Sequence, residues 1–145
     1  MIKKSLFSAV FALTIFALTA FAQKTYTPAK GSAERTVIIN ALRVPVEKKL
    51  KKKTIFALNN FKVQGNWAYL DGTPQKADSS AMDYRGTEYQ EAIDEGMFDD
   101  GIYALLKKTG GKWKVVTYQI GCTDVCYLGW DKQYKAPKAI FPGAE

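Results

Sequence analysis

GIYALLKKTGGKWKVVTYQI, residues 101–120, is the stretch from which the fold is read. Two runs rich in β-branched and aromatic residues flank Thr109-Gly110-Gly111-Lys112. A glycine pair between such runs marks a tight hairpin turn. Gly101 to Lys107 is therefore one strand and Trp113 to Ile120 its return. Strict alternation puts Trp113, Val115 and Thr117 on one face and Val116, Tyr118 and Ile120 on the other.

A second hairpin precedes it. Thr54 to Val63 is strand-like, but Phe56 and Leu58 share one parity while Phe61 and Val63 share the other. The slip falls at Asn59-Asn60, and a one-residue slip is what a β-bulge produces. Gln64-Gly65-Asn66 reads as a turn, and Trp67 to Leu70 as a return strand ending near Asp71-Gly72-Thr73-Pro74.

Upstream, Ser32 is a helix N-cap and Glu34 an acidic first-turn residue. Ile38, Ala41, Leu42, Pro45, Val46, Lys49 and Leu50 follow at helical spacing. Pro45 cannot donate to the Ala41 carbonyl, which predicts a kink or break near Val44. The helix runs into Lys48, Lys49, Lys51, Lys52 and Lys53. As a functional patch this basic surface would meet phosphate-rich or anionic partners. Its favoured reading is a set of solvated cations complementing a helix C-terminus. No nucleic-acid motif accompanies it, so nucleic acid is not expected as a partner.

Between the hairpins, Thr87 and Gln90 fit a capping box for a short helix to about Glu95, stopped by Gly96. Asp94, Glu95, Asp99 and Asp100 gather at its end as a candidate acidic contact site. Their spacing does not match a calcium loop. Paired carboxylates also serve glycoside hydrolysis, but only where separation in space suits it.

Downstream of the second hairpin stand Cys122 and Cys126, the two cysteines of the chain. With Gly121 ending the strand and Thr123 as N-cap, Asp124 takes the first helical position. Cys126, Trp130 and Tyr134 then recur every fourth residue along a C-terminal helix. Cys122 lies just outside that helix, so the sulfurs can meet. A local structural disulfide is the favoured reading, beside two reduced buried thiols and a redox or metal role. A thiol at a helix start is activated, but thioredoxin-type sites use C-x-x-C, and here three residues intervene.

Compartment bears on that choice. Met1-Ile2-Lys3-Lys4, the apolar run Leu6 to Ala20, and Ala20-Phe21-Ala22 before Gln23 form a secretory signal pattern cut after Ala22. The run is about 15 residues, against roughly 20 for a membrane span. An uncleaved N-terminal anchor is the competing reading. The expectation is a periplasmic or secreted protein that does not span the membrane after cleavage. Residues 23–31 are expected to be flexible, 32–136 to form one domain, and 137–145 to be a C-terminal tail.

The formal charge of +7 falls to +5 without Lys3 and Lys4, and it is unevenly spread. Residues 23–53 carry +7, residues 71–100 carry −7, and 101–145 return to +4. With no histidine in the chain, imidazole-based hydrolase arrangements and His-built zinc sites are excluded. Two thiolates alone do not close a structural zinc site, and no phosphate-binding loop, dinucleotide fingerprint or G-x-S-x-G appears. No cofactor or metal is expected, and no catalytic residue is assigned.

The elements add to an α+β fold: a twisted four-stranded antiparallel sheet, a long N-terminal helix packed on it and a short C-terminal helix, in the order α-β-β-α-β-β-α. This order resembles the cystatin-like folds, which host inhibitors, enzymes and binding modules alike. Ala41-Leu42-Arg43, Pro45-Val46-Glu47, Gly65-Asn66-Trp67-Ala68, Phe98 to Gly101, Gly111 to Val115, and Gly121 with Thr123-Asp124-Val125 together resemble small exported bacterial proteins of unassigned activity. The resemblance implies an extracytoplasmic bacterial domain and carries no functional residues. The expected function is a non-catalytic binding or envelope-associated protein whose partner is a protein or envelope component. The alternatives are a small-cavity enzyme or small-ligand carrier using Asp94, Glu95, Asp99, Asp100 and Tyr103, and a lysozyme-inhibitor-like module using the acidic 88–100 segment.

Overall fold

The computed structural model describes residues 23–144; the signal pattern of residues 1–22 lies outside them. The chain runs α1 (Ala33–Leu50), β1 (Ile55–Gln64), β2 (Trp67–Gln75), α2 (Gln90–Asp94), β3 (Asp99–Thr109), β4 (Lys112–Gly121), α3 (Trp130–Tyr134) and a final 3-10 turn, Lys138–Ile140. The strands form one antiparallel sheet in the order β1-β2-β3-β4. This is the α+β arrangement expected from the sequence. Among the described residues no helix is long and apolar enough to cross a membrane.

Helix α1 starts where the cap predicts it: Arg35 N–H donates to Ser32 Oγ at 3.2 Å. It continues through Pro45 without interruption to Leu50. The break considered near Val44 does not occur. Burial explains why: Ile38, Leu42, Val46 and Leu50, one every fourth residue, are all buried against the sheet. Each such side chain contributes about 1.5–3 kcal/mol, enough together to offset a lost helical hydrogen bond. Arg43 and Glu47 then tie the helix to the start of the sheet. Arg43 Nε donates to the Thr54 carbonyl at 2.9 Å, and Thr54 N–H donates to Glu47 Oε1 at 2.9 Å.

Both hairpins form with two-residue turns, Gln64 pairing with Trp67 and Thr109 with Lys112. The bulge read at Asn59-Asn60 is present, as the β1–β2 register shifts between Leu58 and Asn60. A second bulge corrects the reading of β4. Leu105 pairs with Thr117 but Leu106 with Val115, leaving Val116 as the extra residue. Parity therefore changes at Val116. Trp113 and Val115 before it, and Tyr118 and Ile120 after it, all pack toward α1, while Val116 is exposed.

The sheet is covered on both faces. Beneath α1 lies the larger core, built on Leu42, Val46, Leu70, Ile102 and Leu106 and closed at one end by Tyr84, Tyr89 and Phe98. On the opposite face Tyr69 and Leu105 are fully buried under Trp130, Ala136, Ile140 and Phe141. Ile140 and Phe141 come from the segment read in sequence as a tail. At the other terminus Tyr26 exchanges backbone hydrogen bonds with Val63, 2.9 and 2.8 Å long, and so shields part of the exposed β1 edge.

The C-terminal helix is shorter than expected. Residues 122–129 form bends and turns, and α3 begins only at Trp130. Gly129, with φ +85°, occupies the N-cap position in a left-handed conformation that precludes a continuous helix from Thr123. Thr87 likewise makes no helix cap. It bonds to the Tyr84 carbonyl and accepts from Tyr89 N–H at 3.2 Å, and α2 starts at Gln90.

Candidate functional site

On the face away from α1, the bulged end of β1, the middle of β2, the start of β3 and the 122–127 loop enclose an open cleft of about 560 Å³. Its floor is a hydrogen-bonded carboxylate. Asp71, only 6% exposed, accepts from the Asn60 side-chain amide at 3.0 Å on each oxygen. Oδ1 also accepts from Asn60 N–H at 3.2 Å, and Oδ2 from the Tyr69 hydroxyl at 2.8 Å. The bulge makes this network. By displacing one residue of β1 it sets Asn60 opposite Asp71, so backbone and side chain donate to the same group.

Gly72 keeps the strands close enough for this. A Cβ there would overlap the Ala57 carbonyl and crowd Leu58 Cα, so only glycine fits opposite the bulge.

The walls are aromatic and acidic. Tyr103 stands directly across from Asp71 on β3, with its ring centroid 5.7 Å from that of Tyr127. Tyr127 in turn lies 5.2 Å from Tyr69 and stacks on Phe141 at 6.1 Å. Asp99 and Asp124 line the mouth, and both are exposed. Burial pushes the Tyr103 hydroxyl above its ordinary pKa, and the nearby Asp99 and Asp71 charges push it further. The buried Tyr69 hydroxyl is raised far more, first by desolvation and then by its bond to Asp71.

Cys122 and Cys126 are paired at disulfide distance, with Cα atoms 6.2 Å apart. The bridge closes the loop carrying Thr123, Asp124 and Val125, and Cys122 itself lines the cleft. The opening segment of the predicted helix is thus a clasped cleft wall.

The acidic group read at the end of α2 does not stay together. Asp99 enters the cleft, and its Oδ1 accepts from Gly101 N–H at 2.9 Å. Asp100, next in the strand, lies near Tyr84 on the α1 side and raises that hydroxyl after burial has done so. Asp94 accepts from Gln90 at 2.7 Å on exposed α2, and Glu95 caps the same helix. Among the described residues, no group of three or more His, Cys, Asp or Glu converges for a metal ion.

The basic run is partly neutralised. Lys49 pairs with Glu88 at 3.4 Å and lies over the rings of Tyr89 and Tyr118. Lys53 pairs with Glu47 at 3.2 Å, and Lys52 donates to the Asp83 carbonyl. Lys48 and Lys51 remain exposed.

Of the residues singled out in sequence, Asp99, Tyr103 and Cys122 reach the cleft; Asn60, Asp71, Asp124 and Tyr127 had no assigned role there. Asp71-Gly72-Thr73-Pro74 reads as a strand end, where an aspartate is ordinary, but β2 continues through it to Gln75 and so carries Asp71 into the sheet. Comparison with protein-family profiles, with curated proteins and with solved structures returns no match. What the site is rests on its own chemistry: a preorganised polar cleft on an α+β scaffold.

Proposed function

We propose that the chain is an exported, non-catalytic binding or envelope-associated protein that receives a small ligand in the Asp71 cleft. The observation that carries this reading is the floor of the cleft. Asp71 is held by three hydrogen-bonding groups, all from strands β1 and β2, and neutral donors engage both its oxygens. Such a carboxylate is positioned to orient a ligand. The size of the cleft falls among small-molecule sites, and the bridged loop gives it a rigid wall. Export is supported by the N-terminal signal pattern, and a cysteine pair at disulfide distance is compatible with an oxidising compartment.

The test is a two-dimensional amide NMR screen of the chain from Gln23, using fragments of positive, negative and zero charge. Concerted shifts at Asn60, Gly72, Gly101 and Thr123 are expected. A screen in which no fragment moves them overturns the reading. Intact mass of the exported product, beginning at Gln23, checks processing.

A second reading, a small-cavity enzyme, gains from the presence of Asp99 and Tyr103 in the same cleft. It requires turnover of a bound fragment, visible as new product resonances on prolonged incubation.

A further inference from the structure

The cleft carries negative charge with no cation among the residues that line it. Asp71, Asp99 and Asp124 all line it, whereas no lysine or arginine does, in a chain with 21 basic and 14 acidic residues. None of the three carboxylates belongs to an ion pair among the described residues; the pairs found are Lys49–Glu88, Lys53–Glu47 and Arg85–Asp83, all elsewhere. Asp71 is the telling case. It is more than nine-tenths buried, and a buried carboxylate is ordinarily matched by a cation. Its hydrogen bonds come from an amide, a backbone N–H and a phenol, which satisfy its lone pairs and leave its charge unbalanced.

Geometry limits what the counter-charge is. The carboxylates share a cleft without converging as a metal-binding group, so a compact divalent ion does not meet them together. A larger cation spans them. The rings of Tyr103 and Tyr127, 5.7 Å apart, line the same cleft and are surfaces suited to a cation and its hydrocarbon stem. Anions are disfavoured in a cleft lined by three carboxylates and no lysine or arginine.

We infer that the cleft binds a small organic cation, a guanidinium or primary ammonium on a short apolar stem, with its charged head among Asp71, Asp99 and Asp124 and with Tyr103 and Tyr127 beside the head and stem. The inference rests on the binding reading of the cleft and names the ligand class.

The experiment titrates n-butylguanidinium against its uncharged isostere n-butylurea and the anion pentanoate, with amide shifts at Asn60, Gly72, Gly101 and Thr123 as readout. Butylguanidinium is expected to saturate these shifts. Butylurea is expected to bind at least tenfold more weakly, and pentanoate not at all. Added salt to 0.5 M should weaken the cation severalfold, and the D99N/D124N double variant at least tenfold. Both substitutions are at exposed positions, and an unchanged amide spectrum outside the cleft verifies the variant's fold. Equal or tighter binding of butylurea or pentanoate, or undiminished cation binding in D99N/D124N, overturns the cation assignment while leaving the cleft a binding site. No shift with these probes or with any fragment of the broader screen removes the binding reading itself.

Discussion

Asp71 and Tyr69 show how much one buried pair decides. The Tyr69 hydroxyl donates to Asp71 Oδ2 beside the Asn60 amide, and deprotonating this buried hydroxyl would set an anion against the carboxylate. Its folded pKa lies far above the ordinary value near 10. The sign of the linkage follows: the folded state holds the proton longer than the unfolded state. The stabilisation is fully present below pH 10 and is lost progressively as pH rises toward the folded pKa. Tyr84, raised chiefly by burial, acts in the same direction. Denaturation midpoints measured from pH 8 to 12 should be level up to about 10 and then fall. In Y69F the carboxylate loses a donor, at a cost of about 1–3 kcal/mol in urea unfolding at pH 7, and the alkaline fall becomes shallower. An unchanged slope in Y69F would assign the pH dependence to the other tyrosines.

At the level of elements, irregularities place the site. The β1 bulge aims Asn60 at Asp71, glycine at 72 lets the strands close, and the Cys122–Cys126 pair folds the 122–126 loop against them. Gly72→Ala should cost about 3 kcal/mol in thermal or urea unfolding, because the added methyl collides with backbone that cannot rotate away. Replacing both cysteines by serine should cost about 2 kcal/mol, the chain-entropy value for so short a loop. Amide shifts in that variant should be confined to residues 121–129 and the facing cleft. Changes spreading into the α1 core would show the loop to be a general support and not a local wall.

Taken whole, the molecule is a sheet between two unequal layers. The helix supplies one, and a segment with little regular structure supplies the other through Trp130, Ile140 and Phe141. A chain ending at Ala136 would expose Tyr69 and Leu105, and the loss of Ile140 and Phe141 should exceed about 4 kcal/mol. A melting temperature within a few degrees of the full chain would contradict that role.

Much of this was legible along the chain. Periodicity, cap and turn residues determined α1, both hairpins, the first bulge and the antiparallel α+β arrangement, because these depend on neighbours within a few positions. The β4 bulge was not legible: Val115-Val116 is an unbroken apolar pair whose parity is decided only by what lies opposite, Leu105 and Leu106. Nor was the late start of α3, since Thr123 and Asp124 satisfy a cap pattern that Gly129 and the cysteine pair override. The cleft belongs wholly to the tertiary structure. Asn60, Asp71, Tyr103 and Asp124 span more than 60 residues of sequence, and only strand register and the closed loop bring them to one cleft. Local chemistry specifies elements through short-range hydrogen bonds and alternation, whereas a site is a coincidence of distant residues that packing alone creates.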